Sequence, residues 1–141
     1  MRNEIIRNNV ISIVAYVVLS VLTYIIPRIP WTSDPEIGFT VRFFIIMLLA
    51  IASPFLYFLC GRLLLRKTEN RKKNILSVGA LPIIIGICLI IPSGLLDWIN
   101  TPLAVLGSLI AHSLGVIGWL LFALLPSAVF YIGMVTRKIE Q

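Results

Sequence analysis

The stretch GRLLLRKTENRKK, Gly61 to Lys73, crowds Arg62, Arg66, Lys67, Arg71, Lys72 and Lys73 into the middle of a chain that is apolar on either side. Of the 141 residues, 59% are hydrophobic and 13% charged, with a mean hydropathy of +1.01. A soluble domain usually carries about a quarter charged residues. A basic cluster inside so apolar a sequence is the mark of a loop beside a membrane, and its position fixes which way the rest of the chain faces.

Working outward from it, four apolar segments stand apart: Val10 to Ile26, Phe43 to Leu65, Ile75 to Ile91, and a longer one from Leu103 to Val135. A helix needs about 17 to 25 residues to cross the hydrocarbon of a bilayer. Lipid cannot satisfy backbone N–H and C=O groups, so each span must be a helix or part of a closed barrel, and continuous apolar runs without dyad alternation select helix. The expected fold is all-α: a polytopic membrane protein with four transmembrane helices over about 10–27, 35–66, 75–92 and 102–136, forming a single transmembrane domain over 1–141.

Charge sets the orientation. Arg2, Arg7, Arg62, Arg66, Lys67, Arg71, Lys72, Lys73, Arg137 and Lys138 fall on one face of that layout, and only Arg28 and Arg42 on the other. This asymmetry puts both termini in the cytoplasm of a prokaryotic cell membrane. The net charge of +6 is thereby a topology signal, and nucleic acid is not an expected partner. Although Arg2 and Arg7 precede the first apolar run, that run ends in Ile25-Ile26-Pro27-Arg28 without a small-residue cleavage site, so it is expected to be a mature helix and not a secretory signal.

Local signals punctuate the spans. Pro27 and Pro30 end the first helix, and Trp31 suits the headgroup level. Asp34 can cap a second helix whose first residue is Pro35, with Glu36 favourable near the positive end of the dipole. Pro54 leaves a carbonyl of the preceding turn without its donor. Gly79, Pro82 and Gly86 in the third helix suggest close helix contact, and Ser20, Thr23, Ser53 and Ser77 interhelical hydrogen bonds. A continuous helix from Pro102 to Thr136 would be about 50 Å long, more than a span requires, so 102–112 either lies at the outer interface or projects.

The two halves share an order of punctuation. Ile25-Ile26-Pro27 matches Ile90-Ile91-Pro92, Trp31 to Pro35 has the spacing of Trp98 to Pro102, and Pro54 to Gly61 that of Pro126 to Gly133. This order suggests two duplicated helical hairpins; an even number of crossings per half makes such repeats parallel, related by an axis along the membrane normal.

Few residues carry chemistry. Asp and Glu are absent from the apolar segments, which leaves a proton-coupled carrier without a buried carboxylate relay. Cys60 and Cys88 lack a CxxC or a neighbouring His, so neither a disulfide framework nor a metal site is expected. No catalytic residue, cofactor or metal ligand is assigned. Two candidate sites remain: anionic lipid headgroups against Arg66, Lys67, Arg71, Lys72 and Lys73, and an outer-face polar cluster of Asp97, Asn100 and His112, in which the single histidine could titrate near neutral pH.

The function expected from this pattern is that of a small, non-enzymatic, multi-pass protein. It would act as an accessory, regulatory or immunity-type protein through helix–helix contacts with a membrane-protein partner or a second copy of itself. The alternatives are a small oligomeric carrier or channel and, last, a lipid-directed membrane enzyme.

Overall fold

A computed structural model describes residues 2–30, 32–90 and 115–137. The described chain is helical, with no strand: α1 (Arg2–Ile25), a 3-10 turn (Ile26–Arg28), α2 (Pro35–Leu64), α3 (Arg71–Leu76), α4 (Ala80–Ile90) and α5 (Val116–Thr136). Two stretches, Asn3–Arg28 and Pro35–Leu64, are long and apolar enough to cross a membrane, with mean hydropathies of 2.3 and 2.5. Their apolar windows are only 28% and 17% buried, unlike the core helix of a soluble domain.

Local chemistry accounts for the element ends. α1 gives way to the 3-10 turn at Pro27, and Arg28 folds back so that its guanidinium donates to the Tyr24 carbonyl at 2.8 Å and lies 3.4 Å above the Tyr24 ring. α2 begins as the Asp34-Pro35 pair requires, the Asp34 carboxylate accepting from the N–H groups of Glu36 (2.9 Å) and Ile37 (3.3 Å). Inside α2, Pro54 has no N–H to offer the Ala50 carbonyl, and the Ser53 hydroxyl donates to that oxygen at 3.2 Å instead.

The third helix differs from the expected continuous run. It is divided into α3 and α4 by a turn at Ser77–Gly79. In an unbroken helix the Ala80 N–H would donate to the Leu76 carbonyl. Here the Asn9 carboxamide from α1 stands between them, accepting from Ala80 at 3.1 Å and donating to Leu76 at 2.8 Å. An inserted side chain of this kind breaks the helical ladder without leaving either backbone group unpaired.

The core lies where α1, α2, α4 and α5 meet. Tyr16 stacks on Tyr57 with centroids 5.7 Å apart, and Tyr57 packs at 5.3 Å on Phe130, so one aromatic column joins three helices. Leu65, Leu81, Ile85 and Met134 complete it. The α2–α5 interface is the most extensive. The two helices run in the same direction, Phe130 beside Tyr57 and Arg137 beside Leu63 and Leu65.

Closest approach of the backbones occurs between α2 and α5 and not along the third helix. A Cβ on Gly61 would collide with the Phe130 carbonyl, and one on Gly133 with the Phe58 carbonyl. By contrast a Cβ on Gly86 would meet nothing within 4 Å among the described residues. The contact is reciprocal: each glycine packs on the helix turn that precedes the other. The Ser20 and Thr23 hydroxyls also donate to carbonyls of their own helix, Tyr16 at 2.8 Å and Leu19 at 2.9 Å. Short hydroxyl side chains reach the preceding turn more easily than a neighbouring helix.

Candidate functional site: the basic loop and its asparagine clamps

The basic cluster occupies the connection between α2 and α3, at the end of the bundle where α1 begins and α5 ends. Three asparagines build it. The Asn8 carboxamide, wholly buried, pairs with both backbone groups of Arg66, donating to its carbonyl at 2.8 Å and accepting from its N–H at 3.2 Å. Asn74 does the same for Thr68, accepting from the N–H (2.8 Å) and hydroxyl (2.7 Å) and donating to the carbonyl (2.8 Å). Asn70 caps α3 through the N–H groups of Lys72 and Lys73.

Arg137, just past α5, donates to the carbonyls of Leu63 (3.4 Å) and Leu65 (3.5 Å) at the end of α2. Those carbonyls have no intrahelical donor, and a cation there also suits the negative end of the helix dipole. The loop is therefore held by side chains from two other parts of the chain and its own far end: Asn8 of α1 on the Arg66 backbone, Asn74 of α3 on that of Thr68, and Arg137 on the end of α2.

The five expected headgroup-binding residues separate in space. Lys67 and Arg71, with Thr68, Glu69, Asn74, Tyr131 and Val135, line an open cavity of about 570 Å³. Arg66 and Lys72 are exposed, and neither they nor Lys73 line it. A second, almost wholly apolar cavity of about 360 Å³ lies between the start of α4 and α5, walled by Val78, Gly79, Pro82, Leu124 and Ala128. Tyr131 lines both cavities. The other expected cluster, Asp97, Asn100 and His112, lies outside the described residues. Among the described residues no three His, Cys, Asp or Glu side chains come together as a metal site would need.

Asn8 and Asn9, just ahead of the apolar segment that starts at Val10, are not among the residues the sequence singles out, yet they shape this end of the bundle. A signal for Asn9 is present: Asn9-Val10-Ile11-Ser12 recurs as Asn74-Ile75-Leu76-Ser77. Set against known protein families, curated proteins and solved structures, the chain matches none.

Proposed function

We propose that the protein is a four-pass integral membrane protein, with both termini and the basic loop in the cytoplasm, that acts without chemistry of its own on a membrane-protein partner. Its role is that of an accessory, regulatory or immunity-type subunit. The observation that carries this reading is the contrast between inside and outside. The described interior is filled by Tyr16, Tyr57, Phe130, Leu81 and Ile85, while α2 presents Phe44, Leu48, Ile51 and Phe55 outward, each more than 60% exposed. Large apolar side chains spaced along one helix face need an apolar surround, either lipid or another helix.

The chain is built from two duplicated hairpins. In support, the Asn-x-x-Ser and Ile-Ile-Pro matches share one offset, Asn9 to Asn74 and Pro27 to Pro92. A second pattern, Pro-x-x-x-Phe-x-x-Gly, occurs at Pro54-Phe58-Gly61 and again at Pro126-Phe130-Gly133. Those equivalent residues touch one another reciprocally across α2 and α5, as parallel repeats about a two-fold axis along the membrane normal would.

The test is a photo-crosslinking amino acid in place of Ile51 or Leu48 in the native membrane. Covalent capture of one stoichiometric membrane protein supports the accessory role. Capture of a second copy alone moves the function to a homo-oligomer, and labelling of lipid alone at every exposed position of α2 overturns action through this face.

A further inference from the structure

The two cavities beside Tyr131 differ in chemistry and share a wall. Lys67 and Arg71 supply the cations of the first, with Glu69 the one acid on its lining. The second is apolar, opened by the absence of a side chain at Gly79, by the turn that divides α3 from α4, and by the small Ala128 on α5. Asn74 lines the first and its neighbour Ile75 the second, so the polar space and the apolar one lie side by side along α3 with Tyr131 common to both. This is the order of an amphiphile: anion, then hydrocarbon.

We propose that this double cleft binds one anionic phospholipid, its phosphate beside Lys67 and Arg71 and one acyl chain laid across Gly79, Pro82 and Ala128 under the Tyr131 ring. The proposal rests on the membrane reading above. Charge complementarity selects the occupant: an amphipathic helix of a protein partner would bring its own backbone and no concentrated anion, whereas a phosphate matches two cations on the lining of one cavity. The aromatic ring between the two halves is placed where such rings sit at a bilayer surface. The groove between α1 and α2 is of similar kind but has a single cation, Arg7, at its end, and is the weaker of the two.

What makes this a site and not a diffuse basic belt is the division of the cluster. Arg66 and Lys72 carry the same charge within the same loop but do not line the cleft. A diffuse field would count all these cations alike.

Native mass spectrometry of the full chain in detergent, titrated with phosphatidylglycerol and with phosphatidylcholine of the same acyl chains, tests it. Phosphatidylglycerol is expected to be retained preferentially. Lys67→Ala with Arg71→Ala should weaken retention about thirty-fold, each cation near a phosphate being worth about a factor of five. Arg66→Ala with Lys72→Ala should leave retention within about two-fold, because neither residue lines the cleft. Ala128→Phe, which fills the groove and leaves every cation in place, should also weaken retention.

Equal losses from the two double variants would overturn the site in favour of a diffuse field. Competition by glycerol phosphate as effective as by the lipid would remove the acyl-chain half. Release of the chain from membranes by an alkaline carbonate wash would sink the membrane reading itself. A chain that stays in the membrane fraction but shows no lipid preference would sink the cleft alone.

Discussion

Gly133 of α5 lies against the carbonyl group of Phe58 in α2, leaving no space for a methyl group between the two backbones. Gly61 stands in the same relation to Phe130. Because the obstruction is main chain, no rotamer change relieves it. Gly61→Ala or Gly133→Ala must push the helices apart and should destabilise the fold by about 1–3 kcal/mol, the usual cost of overpacking a close contact. Gly86→Ala, at an open position, should be neutral or slightly stabilising. Thermal unfolding of the three variants in one detergent separates these outcomes; a Gly133→Ala protein as stable as Gly86→Ala would mean that α2 and α5 do not meet at these residues.

Asn9 replaces a helical hydrogen bond with two of its own. Asn9→Ala deprives the Ala80 N–H of its partner and the Leu76 carbonyl of the closer of its two donors, the Gly79 N–H at 3.4 Å remaining, at a cost of about 0.5–1.5 kcal/mol for bonds at a partly exposed site. Amide hydrogen exchange read on peptides spanning 74–82 should quicken in this variant and remain as in the parent chain in Asn3→Ala, whose side chain is exposed. Unchanged protection at Ala80 would show that α3 and α4 are divided by Pro82 alone.

Tyr57 is completely buried between Tyr16 and Phe130. Ser20 lies beside its hydroxyl, but the two do not meet at hydrogen-bonding geometry. The ring and the hydroxyl should therefore contribute very differently. Tyr57→Phe is expected to be nearly neutral, since it deletes a buried group with no bond to lose. Tyr57→Ala empties the centre of the aromatic column and should cost about 3–5 kcal/mol. The same unfolding assay decides; a large loss in Tyr57→Phe would place a hydrogen bond on that hydroxyl.

Orientation is checked from outside the cell. With Cys60 and Cys88 replaced by serine, Glu69→Cys puts a single thiol at an exposed loop position that neither caps a helix nor clamps another strand of the loop. A membrane-impermeant thiol reagent should label it only after the cells are opened. Labelling of intact cells would reverse the topology drawn from the charge asymmetry.

Much of the local structure was legible residue by residue. Asp34 and Pro35 announce the start of α2, and Pro27 the end of α1, because capping and the missing proline N–H act within a few positions of chain. The division between α3 and α4 was not. Gly79 and Pro82 looked like packing or kinking residues, yet the group that enters the ladder comes from Asn9 on α1. The loop candidates were legible as a cluster of charge but not as a site. Selection of Lys67 and Arg71 from the five depends on where Asn8 and Asn74 fix the loop backbone and on Tyr131 from α5.

By itself the sequence determined the helical class and the placement of the positive charge in the middle of the chain, and of the four apolar segments it marks, two are described as helices long and apolar enough for a bilayer. These are sums over neighbouring residues and need no knowledge of contacts. The tertiary structure decided what depends on residues far apart in the chain meeting: Gly61 on Phe130, Asn8 on Arg66, Asn9 between Leu76 and Ala80. A glycine reads alike whether it faces open space, as Gly86 does, or another backbone, as Gly133 does. Only the path of the partner helix distinguishes them, because steric exclusion and hydrogen-bond geometry act over a few ångströms of space and not along the chain.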